Sequence, residues 1–417
     1  MRVEPKLNID GFTYIEGGVC AAEGFMANGL NAGINPDKTK NDLGAVYSEL
    51  PCATACVYTS NKVKGAPIIV TKKNMEKSGK ISRAVIVNSK NANTGNSDGE
   101  EIANKTCELF AKELNIEPCQ VVVASTGVIG EPLSIKPFED NIGALVKGLS
   151  TDGNIEAVHA IMTTDTVEKE VAVEFMIDDK KVHLGGMAKG SGMIHPNMAT
   201  TLNFVTTDVC ISSELLQKAL SKLVKITYNC LTIDGDQSTN DMLTVMANGK
   251  AGNEPIVAED ENYKKVETAL YLVLMNLTRK LAADGEGASK LMEVKCINAP
   301  DEDTAIKVAK SVAGSTLFKC AIYGADANWG RILCAIGYAD AEFDITKLDV
   351  TLSSKAGDLP VYVSGGGIGF SEEKAAVILA EDEIIVNIDM HQGEKEATAW
   401  GCDMTHEYVT INGDYRS

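Results

Sequence analysis

Short runs rich in β-branched residues alternate with amphipathic segments along the whole chain of 417 residues. Valine, isoleucine and threonine favour strands, whereas apolar residues that recur three and four positions apart favour helices. This alternation is not the pattern of a helical bundle. The sequence therefore predicts a mixed α/β protein with several sheets.

The same patterns locate individual elements. Ser212 and Asp301 are predicted N-caps, because their side-chain oxygens can accept hydrogen bonds from amides of a first helical turn. The C-terminal stretch YVTINGDYRS alternates like a strand, which predicts a docked terminus. Strands are predicted over residues 84–88, 121–125, 171–177, 201–209 and 347–354, and helices over residues 99–115, 134–149, 212–228, 263–283, 301–313 and 371–380.

The length bounds the number of domains. At roughly 100 to 200 residues per domain, a chain of this size should hold two or three cores. After about residue 340 the sequence becomes strand-rich with one helix. We expect a main domain over residues 1–289 and a smaller C-terminal α/β domain over residues 290–417.

Charge and cysteine content limit the partners and the location. With 39 basic and 58 acidic residues the net charge is −19, which repels phosphate backbones and anionic membranes. We therefore expect neither nucleic acid nor membrane as a partner. The 11 cysteines are scattered, which indicates reduced thiols, and the first residues resemble no export or transit signal. These features predict a cytoplasmic protein.

Metal and nucleotide motifs are weak. None of the 5 histidines lies in a recognised metal or Ser-His context, so no metal site is predicted. Glycines at residues 365–369 suggest a dinucleotide-binding loop, but Phe370 stands where the third glycine should be. A tight strand-to-helix turn is the better interpretation, and no cofactor is predicted.

The stretch from Met187 to Asp208 carries a possible nucleophile. Glycines and Pro196 indicate an irregular turn that delivers Ala199 and Thr200 to the start of an apolar strand. A threonine hydroxyl needs a neighbouring base, and its own α-amine can serve if the preceding peptide bond is cut. A Thr-Thr pair at the start of a strand is usually ordinary β-propensity, so the pattern alone favours that interpretation over self-cleavage.

The segment KGSGMIHPNMATTL resembles the self-processing segment of the ornithine acetyltransferase family, also called the glutamate N-acetyltransferases of the arginine pathway. This family belongs with the N-terminal-nucleophile-like enzymes. Similar stretches run from the first thirty residues to the last seven: GFMANGLNAGI, VYTSNKVKGAP, NSKNAN, ASTGVIGEPL, TTD, IDGDQSTND, GADANWGRI and INGDYRS.

The resemblance implies a layered α-β-β-α main domain and a self-cleaving enzyme. Thr200 would attack the Ala199 carbonyl and divide the chain into residues 1–199 and 200–417. Thr200 would then become the amino-terminal nucleophile and form an acetyl-Thr200 intermediate, while Thr126 and Gly127 would form the oxyanion hole.

The substrates implied by the resemblance are N2-acetyl-L-ornithine and L-glutamate, with acetyl-CoA as a possible co-substrate. The two cleaved chains would stay together, with two of each in a heterotetramer. The residues that match the family's substrate contacts are Thr163, Lys189, Thr200, Glu286, Asn412 and Ser417.

Departures and alternatives remain. Lys90 stands where the family usually has glycine, Thr316 replaces a usual proline, and Ser417 stands where threonine is common. Within enzymes, the alternative is a self-cleaving aminopeptidase or amidase in which water resolves the acyl-enzyme. Outside enzymes, the alternative is an uncut binding protein on the same scaffold.

Overall fold

A computed structural model describes residues 1–195 and 201–414, and it confirms the mixed α/β prediction. The described strands are β1 (Phe12–Ile15), β2 (Phe25–Leu30), β3 (Leu43–Tyr58), β4 (Ile81–Asn88), β5 (Val121–Ser125), β6 (Glu170–Ile177), β7 (Lys180–Lys189), β8 (Leu202–Thr207), β9 (Met242–Ala247), β10 (Leu291–Ala299), β11 (Asp349–Ser354), β12 (Gly357–Val363), β13 (Gly366–Gly367), β14 (Glu383–Asp389) and β15 (Lys395–Cys402). The described helices are α1 (Ala66–Lys77), α2 (Gly99–Leu114), α3 (Lys136–Lys147), α4 (Asn154–Ile161), α5 (Ser213–Ile226), α6 (Glu261–Ala283), α7 (Glu302–Ala313), α8 (Thr316–Tyr323), α9 (Trp329–Gly337), α10 (Glu372–Leu379) and α11 (His406–Asp414).

Strands β1 to β9 form one mixed sheet in the order β1-β6-β7-β8-β9-β3-β4-β5, with β2 paired to β3. The long strand β3 connects its two halves. The first part of β3 pairs with β2 and β4, whereas the part from Ala53 to Tyr58 pairs with β9. An irregular register between Tyr47 and Cys52 separates these parts. The nine strands are therefore continuous in hydrogen bonding although the sheet has two halves.

Successive side chains of a strand point to opposite faces of the sheet. The side chains on one face of each half pack together in a central core that the two halves share. Phe204 of β8 and Val85 of β4 lie in this core together with Val158 of α4. Their neighbours point outward: Val205 packs in the core with α5 and α6, and Ile86 packs in the core with α2 and α3. The order of layers is helix, sheet half, sheet half, helix, as the resemblance implied.

The second sheet has the order β13-β12-β11-β14-β10-β15. Helix α7 packs on β10 and β15, while α10 packs on β11 and β12. Apolar residues of this sheet, such as Val294, belong to the same continuous core as Leu277 of α6. The division of the chain into domains at residue 290 stays a prediction.

The predicted helix starts agree with the structure. Ser212 accepts a hydrogen bond from the Leu215 amide, and Asp301 accepts one from the Thr304 amide. Thr316, where the family usually has proline, is the first residue of α8 after the N-cap Ser315. Proline suits that position because the amide of the first helical residue has no partner within the helix. The helix does not require proline there, so threonine can replace it.

The expected strand at the C-terminus is wrong, because residues 406–414 form the helix α11. Its alternating polar and apolar residues do not pack on a sheet, and α11 has no buried residue among those described. Alternation indicates a strand only where one face becomes buried. Exposed residues instead follow local helix hydrogen bonding.

The strand ends bring distant segments together at one edge of the nine-stranded sheet. Lys189 at the end of β7 lies opposite Leu202 of β8, which lies opposite Met242 of β9. The side chain of Asn240 donates to the Ala92 carbonyl oxygen at 2.6 Å and to the Ser125 carbonyl oxygen at 3.0 Å. Asn240 thereby ties the segment before β9 to the end of β5.

Candidate active site

A cavity of about 150 Å³ lies at this edge of the sheet. The predicted site residues that the structure describes all contribute to its lining: Thr126, Gly127, Thr163, Lys189, Glu286 and Asn412. Ala199, Thr200 and Ser417 lie outside the described residues. Thr201, the next residue after the predicted nucleophile, also lines the cavity.

Thr126 and Gly127 form the turn that follows β5. The Thr126 amide donates to the Asn88 carbonyl oxygen at 2.9 Å, which extends the parallel pairing of β4 and β5 by one residue. Gly127 then adopts a φ of +127°, in the region that favours glycine. A Cβ atom there would lie 2.6 Å from the Asn91 nitrogen and even closer to the Lys90 carbonyl group. Both conformation and space therefore require glycine at position 127.

Lys90, one of the departures from the family pattern, lies beside this turn. It has a φ of +73°, a conformation that costs a lysine more than a glycine. Its carbonyl oxygen accepts a hydrogen bond from the Val128 amide at 3.0 Å. The turn is therefore built in this chain despite the lysine, and the main chain of residue 90 supports the Gly127 turn.

Lys189 contributes a cation to the lining of the cavity. Its side chain is 10% exposed, lies 3.8 Å from an Asp165 oxygen and donates to the Thr163 hydroxyl at 2.7 Å. Asp165 is buried and also accepts hydrogen bonds from the Thr163 and Gly190 amides. A lysine with one side toward a buried carboxylate and another toward a cavity can bind an incoming carboxylate.

Glu286 provides a negative charge to the same cavity. Its carboxylate accepts hydrogen bonds from the Thr164 hydroxyl and the Asn412 amide, each at 2.7 Å. The Glu286 main-chain amide donates to the Ser191 carbonyl oxygen at 2.8 Å. Gly192 lets the carboxylate approach, because a Cβ atom at that position would overlap it. The hydrogen bond from Asn412 also connects α11 to the site.

Asp241 is a site residue that the sequence analysis missed. It lines the cavity, and its Oδ1 atom accepts a hydrogen bond from the Thr201 amide at 2.6 Å. Burial raises the pKa of the Asp241 carboxyl to about 7, although the Thr201 amide, the Ser238 side chain and the charge of Lys189 act to lower it. Its motif, IDGDQSTND, was visible in the sequence, but the burial that changes its chemistry was not.

The arrangement matches the two charges of an amino acid. Lys189 can pair with a carboxylate and Glu286 with an ammonium group, while the Thr126 hydroxyl and the Gly127 amide lie just after β5 and can donate to an oxygen atom. Among residues 1–195 and 201–414, no group of three or more His, Cys, Asp or Glu side chains is placed to hold a metal ion. No helix among these residues is long and apolar enough to cross a membrane.

Comparisons with known proteins agree along most of the chain. The model of the ArgJ family matches residues 26–417. The arginine biosynthesis bifunctional protein ArgJ 1 of Clostridium acetobutylicum is 46% identical over 395 residues, which cover 94% of this chain and 96% of that protein. The arginine biosynthesis bifunctional protein ArgJ of Symbiobacterium thermophilum is 45% identical over 406 residues, which cover 97% of this chain and all of that protein.

Solved structures with similar sequences match about half of the chain. An arginine biosynthesis bifunctional protein ArgJ from Bacillus halodurans is 44% identical with a TM-score of 0.49, and the match covers 51% of this chain and 98% of that chain. The ornithine acetyltransferase of Mycobacterium tuberculosis, solved in complex with ornithine, is 36% identical with a TM-score of 0.42. That match covers 45% of this chain and 100% of that chain.

Replacement of Gly127 by alanine tests the turn. Gly130 also has a positive φ, of +81°, but a Cβ atom there would meet nothing within 4 Å. Gly130→Ala therefore measures the conformational cost alone, and Gly127→Ala adds the overlap with residues 90 and 91. We expect G127A to lose about 1–3 kcal/mol more free energy of unfolding than G130A in urea titrations. Equal losses would show that the close approach does not constrain this turn.

The raised pKa of Asp241 predicts a pH-dependent stability. In the unfolded chain this carboxyl ionises near pH 4, whereas in the folded chain it keeps its proton up to about pH 7. Its contribution to stability is full below pH 4 and is lost as the pH rises to about 7, by on the order of 4 kcal/mol. Asp241→Asn cannot titrate, so the difference in unfolding free energy between wild type and D241N should change over this interval. Parallel pH profiles of the two proteins would contradict the assignment.

Proposed function

The chain belongs to the ArgJ family, and on this premise we propose how the cavity carries out the family's chemistry. The protein is an acyltransferase of arginine biosynthesis, an ornithine acetyltransferase and glutamate N-acetyltransferase. The resemblance seen in the sequence is therefore confirmed. The residues that perform the reaction, the cleavage of the chain and the assembly of its parts are proposals.

The proposal for substrate binding rests on one observation: Lys189 and Glu286 line the same small cavity as the Thr126–Gly127 turn. We place the α-carboxylate of N2-acetyl-L-ornithine, and later that of L-glutamate, against Lys189 and the Thr163 hydroxyl. The side-chain ammonium group of the ornithine moiety pairs with Glu286, whose carboxylate Asn412 holds by a hydrogen bond. Ser417 is proposed as a further contact from the resemblance alone.

Self-cleavage is proposed to prepare the nucleophile. The Thr200 hydroxyl attacks the Ala199 carbonyl carbon, the peptide C–N bond breaks, and an ester forms. Water then hydrolyses the ester, which leaves chains 1–199 and 200–417 and frees the Thr200 α-amine. The hydrogen bond from the Thr201 amide to Asp241 supports this proposal, because it fixes the main chain directly after the nucleophile.

The transfer proceeds in two halves. The Thr200 hydroxyl gives its proton to the α-amine and attacks the acetyl carbonyl carbon of acetylornithine. The amide C–N bond breaks, ornithine leaves with the proton, and acetyl-Thr200 remains. The glutamate α-amine then attacks the carbonyl carbon of this ester, and the ester C–O bond breaks. The Thr200 oxygen takes up the proton that the amine loses, and N-acetylglutamate leaves. In each half, the negative oxygen of the tetrahedral intermediate lies against Thr126 and Gly127, where one hydrogen-bond donor is worth roughly 3 kcal/mol.

The same acyl-enzyme accommodates acetyl-CoA as a second donor, because a thioester can acetylate the same hydroxyl.

We also propose that the two cleaved chains remain together, with two of each in a heterotetramer. The cytoplasmic location predicted from the sequence stays a prediction.

Substrate trials test the proposed function. Purified protein given acetylornithine and glutamate should release ornithine and N-acetylglutamate in equal amounts. Without glutamate, ornithine release should stop after about one turnover per site, because acetyl-Thr200 then has no amine acceptor. Continued release of acetate without glutamate would indicate the hydrolase instead. Acetyl-CoA and glutamate supplied alone test the second donor.

Thr200→Ala tests the nucleophile and the cleavage together. T200A removes the hydroxyl, so we expect one uncut chain by intact mass and no acetyl transfer. Thr200→Ser keeps a hydroxyl and should still be cut into chains 1–199 and 200–417 with measurable activity. A cut or active T200A protein would remove Thr200 from this role, and an uncut wild-type chain would support the binding-protein alternative.

A further inference from the structure

Lys169 is a fully buried cation directly behind the cavity and not part of its lining. Its ammonium group donates to Asp165 at 2.7 Å, to Asp284 at 2.5 Å and to the Val167 carbonyl oxygen at 3.4 Å. These three acceptors match the three protons of the ammonium group. Burying a lysine is costly unless it is paired in this way, so its position is strongly constrained.

The first carboxylate, Asp165, holds the carboxylate-binding side of the cavity. It accepts hydrogen bonds from the Thr163 amide at 3.0 Å and the Gly190 amide at 2.7 Å, and it lies 3.8 Å from the Lys189 ammonium group. The Lys169 carbonyl oxygen also accepts from the Ala188 amide at 2.9 Å. The main chains on both sides of Lys189 are thus tied to Lys169 or its partner.

The second carboxylate, Asp284, holds the ammonium-binding side. It lies just after α6 and two residues before Glu286. Asp284 accepts hydrogen bonds from the Thr166 amide at 2.9 Å, from the Thr166 hydroxyl and from the Val167 amide at 3.4 Å. Lys169 therefore joins the segment that carries Thr163 and the segment that carries Glu286.

Electrostatics favours the charged form of this cluster. Burial acts to raise the pKa of Asp165, but the charges of Lys169 and Lys189 outweigh it and hold that pKa well below its ordinary value. Burial acts to lower the pKa of Lys169, but the charges of Asp165 and Asp284 outweigh it and raise that pKa. Asp165 and Lys169 therefore stay ionised across the neutral range.

We propose that Lys169 is a positioning residue for amino-acid binding, which sets the separation of the Lys189 and Glu286 subsites through Asp165 and Asp284. The proposal rests on the proposed function of this cavity. A substrate with two charged ends is sensitive to that separation, because both of its ends must be paired at once. Correct separation of the two subsites stabilises the bound substrate and the transition state equally. Its loss therefore raises KM more than it lowers kcat.

Lys169→Met tests this role, because it removes the ammonium group and keeps an unbranched side chain. Asp284→Asn is the second variant, which weakens the same link while an amide oxygen can still accept from Thr166, and it decides the question if K169M does not fold. We expect either variant to raise KM for acetylornithine about tenfold and to change kcat less than threefold. Cleavage after Ala199 should be retained, because it involves no bound substrate.

Glu293→Gln is the matched control. Glu293 is a buried carboxylate that pairs with the buried guanidinium of Arg279 at 2.7 Å, and Arg279 belongs to α6, the helix that Asp284 follows. Glu293 does not line the cavity. E293Q therefore reproduces the loss of a buried ion pair and should lower the thermal midpoint as D284N does, with KM within twofold of the wild type.

The outcomes separate the two proposals. If the wild-type enzyme transfers acetyl groups and the folded variants have the same KM as the wild type, the positioning role is wrong and the proposed function is unaffected. A rise in KM that E293Q shares equally also overturns it, because the effect would then follow from general destabilisation. A wild-type enzyme that transfers no acetyl group overturns the proposed function and the positioning role with it.

Discussion

A buried ammonium group must be surrounded by acceptors, and Lys169 meets this demand with carboxylates from two distant segments of the chain. Asp165 belongs to the loop before β6, and Asp284 follows the longest described helix, α6. Because neither carboxylate can move without exposing an unpaired charge, the loops that carry them are fixed relative to each other. This pairing therefore holds together the two segments that carry Thr163 and Glu286 of the cavity lining.

The nine-stranded sheet provides the frame on which this link acts. The end of β7 and the starts of β8 and β9 lie side by side, since β7 is antiparallel to β8 and β8 is parallel to β9. Asn240 then connects this group to the end of β5 across the sheet. Lys189, the Asp241 carboxyl and the Thr126–Gly127 turn therefore meet at one edge of the sheet, although they come from separate parts of the sequence.

Some tight features of the site rely on glycine and others are built without it. Gly127 and Gly192 allow close approaches that a side chain would block. Lys90 supports the Gly127 turn in a conformation usually left to glycine, so this chain accepts some backbone strain beside its candidate active site. At Asp241 the cost is electrostatic and not conformational, because burial opposes ionisation of its carboxyl and raises the pKa to about 7.

Local patterns by themselves predicted 5 of the 15 described strands and 6 of the 11 described helices. β5 has the predicted bounds, α2, α5 and α7 lie within a few residues of theirs, and the caps at Ser212 and Asp301 are as expected. Family motifs identified the acetyl-transfer chemistry and predicted residues that the structure places in the lining of one cavity, among them Lys189 and Glu286. Only the tertiary structure decided that Lys169 links the segments that carry Asp165 and Asp284, that Asp241 is buried beside Thr201, and that residues 406–414 form a helix. Periodicity and capping depend on neighbouring residues, whereas burial, ion pairing and a shifted pKa depend on atoms that the fold brings together from distant segments.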